Sequence, residues 1–139
     1  SANFSIKYSD DIIVDLWHKW VLITTVAGAT TLFNATIGEI ASTEHGIAFI
    51  TDLHDECITI AKSEKIKVND DDLAQQRRFL SDKKSTWSSS MRRDMVNKSK
   101  IECAHIFLEL INIADKNNVE CPFLKTVMIN GEIYMRSLV

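Results

Sequence analysis

One proline and four glycines in 139 residues leave too few tight turns for a sandwich or a barrel. Cysteine is scarce as well, and odd in number. Cys57, Cys103 and Cys121 show no paired spacing, so no disulfide frame is expected, and they read as reduced thiols of a cytoplasmic protein. No metal site is expected either. His54 and Cys57 lie three apart and Cys103 and His105 flank Ala104, but neither pair makes the three or four convergent ligands that zinc takes. No charged-then-apolar leader is seen, and the apolar stretch over 20–33 is interrupted by Thr24, Thr25, Gly28, Thr30 and Thr31, so no membrane segment is expected. An excess of positive charge is also missing. The net charge of -3 speaks against a chain that binds nucleic acid over its whole surface.

What is present suits one soluble domain spanning 1–139. Apolar residues make up 45% and charged residues 25%. The charge is uneven. Over 77–100 there are eight basic residues against Asp82 and Asp94, a net of +6, which leaves −9 on the rest. Such a run is either a solvated helical face or a surface that attracts an anionic ligand.

The apolar residues recur at helical spacing. Ile12, Ile13, Leu16, Trp20, Ile23 and Ala27 form one face of a first helix, and Ser9-Asp10-Asp11 supplies a capping start for it. A short helix or turn is predicted around Gly38 and a long helix over 44–64. Asn69 or Asp70 caps a helix that ends near Lys83-Lys84. A polar serine-rich connector leads to a helix over 91–97. The strongest helix covers 100–116, carried by Ile101, Ala104, Phe107, Leu108, Ile111 and Ala114. Pro122 opens a last helix that Asn130-Gly131 is expected to break. The fold class is therefore all-α.

Two ionisable side chains stand in apolar helical settings: Lys19 among Trp17, Trp20, Val21 and Leu22, and Glu102 beside Ile101 and Ile106. A lysine and a carboxylate over one cleft would make an acid and an anchor for a polar substrate. The bland readings are a lysine paired with Asp15, a glutamate paired with Lys98, and serines that only cap a helix.

The order of several short elements resembles the C-terminal domain of the ketopantoate reductase (2-dehydropantoate 2-reductase) family. Tyr8-Ser9-Asp10-Asp11-Ile12 resembles its linking segment, and Trp17-His18-Lys19 its lysine-bearing helix. Gly38-Glu39-Ile40, Glu56 with Ala61, Ser89-Ser90-Met91 with Asp94, Glu102, and Val119 with Pro122 follow in the same order. The resemblance implies a multi-helix domain like the C-terminal domain of 6-phosphogluconate dehydrogenase. It implies a substrate and dimerisation domain whose Rossmann partner is absent from this chain. No Gly-x-Gly-x-x-Gly occurs in it, so NADPH would be bound mainly by that missing domain and the isolated chain is expected to be inactive.

By the same resemblance, Lys19 would be the general acid, Glu102 would hold the substrate hydroxyl, and Ser90, with Ser89 beside it, would bind the carboxylate of a 2-keto acid on the way to pantothenate. A homodimer is implied, with neither nucleic acid nor membrane as partner. The pattern departs at three places. Ile23 and Ala27 stand where the family usually has asparagines, and Phe107-Leu108 where Asn-Gly commonly follows the glutamate. Weak activity on ketopantoate itself is expected. Two rival readings are a non-catalytic helical interaction domain that kept the fold, and a regulator that binds nucleic acid through 77–100.

Overall fold

Amphipathic stripes and few breakers give a helical chain, and no strand occurs among the described residues. The computed structural model describes residues 2–139, with side chains for 11–103 and 105–139. Helix α1 (Ala2–Phe33) is the axis on which α2 (Ile37–Ala41), α3 (Gly46–Ser63), α4 (Asp70–Leu80), α5 (Ser90–Val96) and α7 (Pro122–Ser137) pack. A π segment, Ala104–Leu108, continues into α6 (Glu109–Lys116).

Residues 24–31 of α1 are all buried, so this part of the helix has no solvent face. Its threonines survive there because three of them return their hydroxyl to the helix itself. Thr25 donates to the Val21 carbonyl at 2.8 Å, Thr30 to Val26 at 2.6 Å and Thr31 to Ala27 at 2.6 Å. By length and composition, Asp11–Phe33 is apolar enough to cross a membrane, a longer stretch than the sequence reading gave it. Its apolarity serves the core. Val21 and Ala27 join Leu53, Cys57, Ile60, Phe107, Leu110, Leu124 and Val127 in the main apolar cluster. A smaller cluster holds Val26, Ala29, Ile37, Ile40, Ile50 and Leu80.

Several boundaries differ from the expected ones. α1 runs straight through Ser9-Asp10-Asp11, so no helix starts there. Its predicted apolar face is not the buried one either. Ile12, Ile13 and Leu16 are exposed, Leu16 by 60%. α4 stops at Leu80, short of the two lysines, while its Asn69 cap is as predicted, accepting from Asp72 N at 3.0 Å. The helix expected over 100–116 begins only after Glu102 and passes through the π segment. Gly131 does not break α7. It is buried in mid-helix, where a Cβ would meet Cys103 Cβ at 3.2 Å, so the glycine admits a neighbour rather than a turn. With glycine scarce, Asn34, Lys65, Lys98 and Asn118 take the left-handed conformation just beyond the ends of α1, α3, α5 and α6.

Candidate functional site

The serine connector is held by the start of α2. A capping box fixes that helix: Thr36 Oγ1 accepts from Glu39 N at 3.1 Å, and Glu39 Oε1 accepts from Thr36 N at 3.0 Å. The hydrogen bonds from Thr36 hold the Glu39 carboxyl below its usual range. The unpaired first-turn amides then reach outward. Ile37 N donates to the Trp87 carbonyl at 2.8 Å and Gly38 N to the Ser85 carbonyl at 3.0 Å. Only glycine allows that approach, because a Cβ on residue 38 would lie 2.2 Å from Ser85 O.

Beyond the connector the three serines have different fates. Ser88 Oγ accepts from Arg92 Nη1 at 3.2 Å, and Arg92 Nε donates to Asn34 Oδ1 at 3.2 Å. Ser89 caps α5, accepting from Arg92 N at 3.1 Å, and its hydroxyl meets Thr30 Oγ1 at 2.8 Å. Ser90 is exposed, and among the described residues its hydroxyl makes no hydrogen bond. The two predicted carboxylate binders therefore separate: Ser89 is occupied in holding α5 to α1, and Ser90 is available.

Ser90 stands between two cavities. One is a cleft of about 230 Å³ walled by Ile23, Val26, Ala27, Met91 and Ile106, with Trp87 and the serines at its edge. The other is a broad polar hollow of about 790 Å³ lined by Lys84, Trp87, Ser88 and Arg93. Lys19 precedes Ile23 and Ala27 by one and two turns, which puts the three on one face of α1. Glu102 precedes Ile106 by four residues, and its carbonyl accepts from Ile106 N at 3.3 Å. The two elements are joined where Trp20 Nε1 donates to the Ile106 carbonyl at 3.3 Å. Lys19 and Glu102 are both exposed and neither lines the cleft. Among the described residues Lys19 forms no ion pair with Asp15, nor Glu102 with Lys98.

Other polar groups are structural. Glu56 caps α7, its two oxygens accepting from Phe123 N at 2.9 Å and Leu124 N at 2.8 Å, and burial raises its carboxyl above the usual range. Nothing in the sequence around Glu56 signals this role, since its partners lie more than sixty residues on. Burial pushes the Cys57 thiol up to about 12 and raises Cys121 as well, so neither is poised as a nucleophile. Asp15, His18 and Asp72 gather ligand atoms within 4.8 Å of one another. Yet His18 Nε2 accepts from Asn69 N at 3.1 Å and leaves Nδ1 to face Asp72 at 3.5 Å. A metal-bound imidazole donates from its second nitrogen, which this one does not, so the cluster suits a His–Asp pair better than an ion. Nor do these residues fit a dinucleotide. All four glycines are packed against the chain itself, Gly28 on Leu53 and Gly46 on the Ile40 carbonyl, and none opens a cradle for a pyrophosphate.

Residues 11–129 match the family profile described as ketopantoate reductase PanE/ApbA C terminal. An uncharacterized oxidoreductase of Bacillus subtilis, YkpB, is 32% identical over 126 residues, which is 91% of this chain and 42% of that protein. The 2-dehydropantoate 2-reductase of Streptococcus pyogenes is 20% identical over 127 residues, 91% of this chain and 41% of the other. The chain thus spans about two fifths of the length of these relatives. Among solved structures, a dimeric ketopantoate reductase from Staphylococcus aureus superposes with a TM-score of 0.81 at 17% identity, covering 92% of this chain and 45% of its own. A D-mandelate dehydrogenase solved with NADH and anilino(oxo)acetate gives 0.79 at 19%, covering 93% and 54%. At such identities these structures speak for the fold alone.

Proposed function

This chain belongs to the ketopantoate reductase family of oxidoreductases as its C-terminal helical domain, and on that premise we propose that it is the substrate-binding half of a nicotinamide-dependent 2-keto acid reductase. The observation that carries the proposal is the cleft. Ile23 and Ala27, on the Lys19 face of α1, share its wall with Ser90, whose hydroxyl is the one of three left without a partner.

In this reading Ser90 donates to the substrate carboxylate, with Ser89 fixing its position. A bound nicotinamide would supply hydride to the carbonyl carbon, and Lys19 reaches the carbonyl oxygen, offsets the negative charge that develops there and delivers the proton. Glu102 accepts from the hydroxyl that this transfer creates. The cofactor, NADPH in this proposal, is held mainly by a separate Rossmann domain, since no glycine here opens a cradle for its pyrophosphate. The exposed stripe of Ile12, Ile13 and Leu16 is apolar surface for that domain or for a second copy in a homodimer.

In the full-length protein, Lys19→Ala should lower kcat/KM on a 2-keto acid by about 10²–10⁴-fold while leaving the melting temperature unchanged, because the side chain is exposed. A loss below about threefold would make Lys19 an ordinary surface residue.

A further inference from the structure

The two cavities that Ser90 borders differ in character. The helix wall of the cleft is hydrocarbon: Ile23, Val26 and Ala27 from α1, Met91 from α5 and Ile106 from the π segment. At about 230 Å³ the cleft falls below the roughly 300–1,000 Å³ of pockets that take drug-sized ligands, so it suits a small molecule. Of the three serines that line it, only Ser90 keeps an available hydroxyl, and that one is assigned to the carboxylate. Ser88 is taken by Arg92, and Ser89 by Thr30 and the α5 amide. Glu102 is exposed and outside the wall. Within the wall itself, a side-chain hydroxyl on a bound substrate would lose its water and meet hydrocarbon in return.

The neighbouring hollow, which shares Trp87, Ser88 and Ser90 with the cleft, is cationic. Arg93 and Lys84 line the hollow that Ser90 also borders. Among the described residues neither forms an ion pair. Arg92 next to them is committed to Ser88 and Asn34, so Arg93 is the adjacent guanidinium able to turn to a ligand. A guanidinium matches a carboxylate in charge and in geometry.

We infer that the substrate is a 2-keto acid whose side chain is a branched hydrocarbon without a hydroxyl, seated on Ile23, Ala27 and Ile106, and that Arg93 draws its carboxylate to Ser90. This rests on the 2-keto acid reading above and narrows it. Arg93 acts as a binding residue and takes no part in proton transfer.

A matched pair of compounds tests it in the full-length enzyme with NADPH and with NADH. Ketopantoate and 3,3-dimethyl-2-oxobutanoate differ only by the 4-hydroxyl. The inference expects kcat/KM to favour the compound without the hydroxyl by about 10–100-fold, the range over which an apolar pocket discriminates. Ile23→Asn together with Ala27→Asn should shrink or reverse that ratio. Arg93→Gln should raise KM about tenfold or more for both compounds with kcat held, the mark of uniform binding. Preference for ketopantoate in the unaltered enzyme would overturn the inference and leave the reductase reading standing. An Arg93→Gln variant with unchanged KM would overturn the carboxylate assignment. Absence of turnover with every 2-keto acid tried would overturn both the inference and the reading beneath it.

Discussion

Two polar clusters hang on α1, and they are finished differently. The first joins α1, α3 and α4. Arg77 Nε donates to His54 Nδ1 at 3.1 Å, His54 Nε2 donates to Gln76 Oε1 at 2.9 Å, and Gln76 Nε2 donates to the His18 carbonyl at 2.9 Å. Arg77 also pairs with Asp55, and His18 with Asn69 and Asp72. The central members His54 and Gln76 are buried, and each has a partner. The second joins α1 to α5 through Thr30, Ser89, Arg92, Ser88 and Asn34; Ser90, next in the chain, stands outside it, and its hydroxyl has no partner among the described residues. A closed network rigidifies a fold. One that fixes the backbone beside an available hydroxyl on the edge of a cleft sets where that hydroxyl sits. The first cluster is architecture and the second is a mount.

The largest effect is expected where the closed network is cut. Gln76→Leu strands the His54 Nε2–H in the interior, while the His18 carbonyl keeps its bond within α1, and should cost about 1–3 kcal/mol, read by chemical denaturation, with kcat/KM of the folded enzyme little changed. A cost under about 1 kcal/mol would mean the network is not closed in solution. Glu56→Ala removes the cap of α7 and should cost about 1–2 kcal/mol, visible as hydrogen exchange at the Phe123 and Leu124 amides.

A smaller effect concerns pH. Burial holds His54 below its ordinary 6.5, assisted by the Arg77 charge. The unfolded chain therefore takes up a proton near 6.5 that the folded chain refuses. Stability is full above that pH and declines as pH falls below it. Glu39 and Glu64, held below 4.5, respond only in stronger acid, and Glu56, raised above 4.5 by burial, adds stability as pH falls, so the loss between about 6.5 and 5 is assigned to His54. A His54→Gln variant should show a flatter dependence of melting temperature on pH there. An unchanged slope would assign the proton elsewhere.

The helices were legible because stripes and caps are local. Asn69 and Pro122 behave as their chemistry dictates, and the helix predicted to end at 116 does so, with Asn118 left-handed beyond it. The resemblance drawn from Trp17-His18-Lys19, Ser89-Ser90-Met91 and Glu102 placed the chain in the right family. What stayed hidden depends on distant partners. Gly131 reads as a breaker until Cys103 is known to pack on it. Glu56 matches the family pattern in the sequence, but its role as a cap appears only once the start of α7 is known to meet it. The π segment has no sequence signature, yet it carries Ile106, to which Trp20 is bonded. Ser89 and Ser90 are paired as carboxylate binders in the sequence; Thr30, a neighbour of Ser89 only in space, tells them apart.

The contrast between a mount and what it holds is tested most directly by Ser89→Ala and Ser90→Ala side by side in the full-length enzyme. Loss of the Ser89 cap should lower stability by about 1 kcal/mol. Loss of the Ser90 hydroxyl should leave the melting temperature in place and raise KM for the 2-keto acid about tenfold. Equal destabilisation by both, with KM unmoved by Ser90→Ala, would contradict the account.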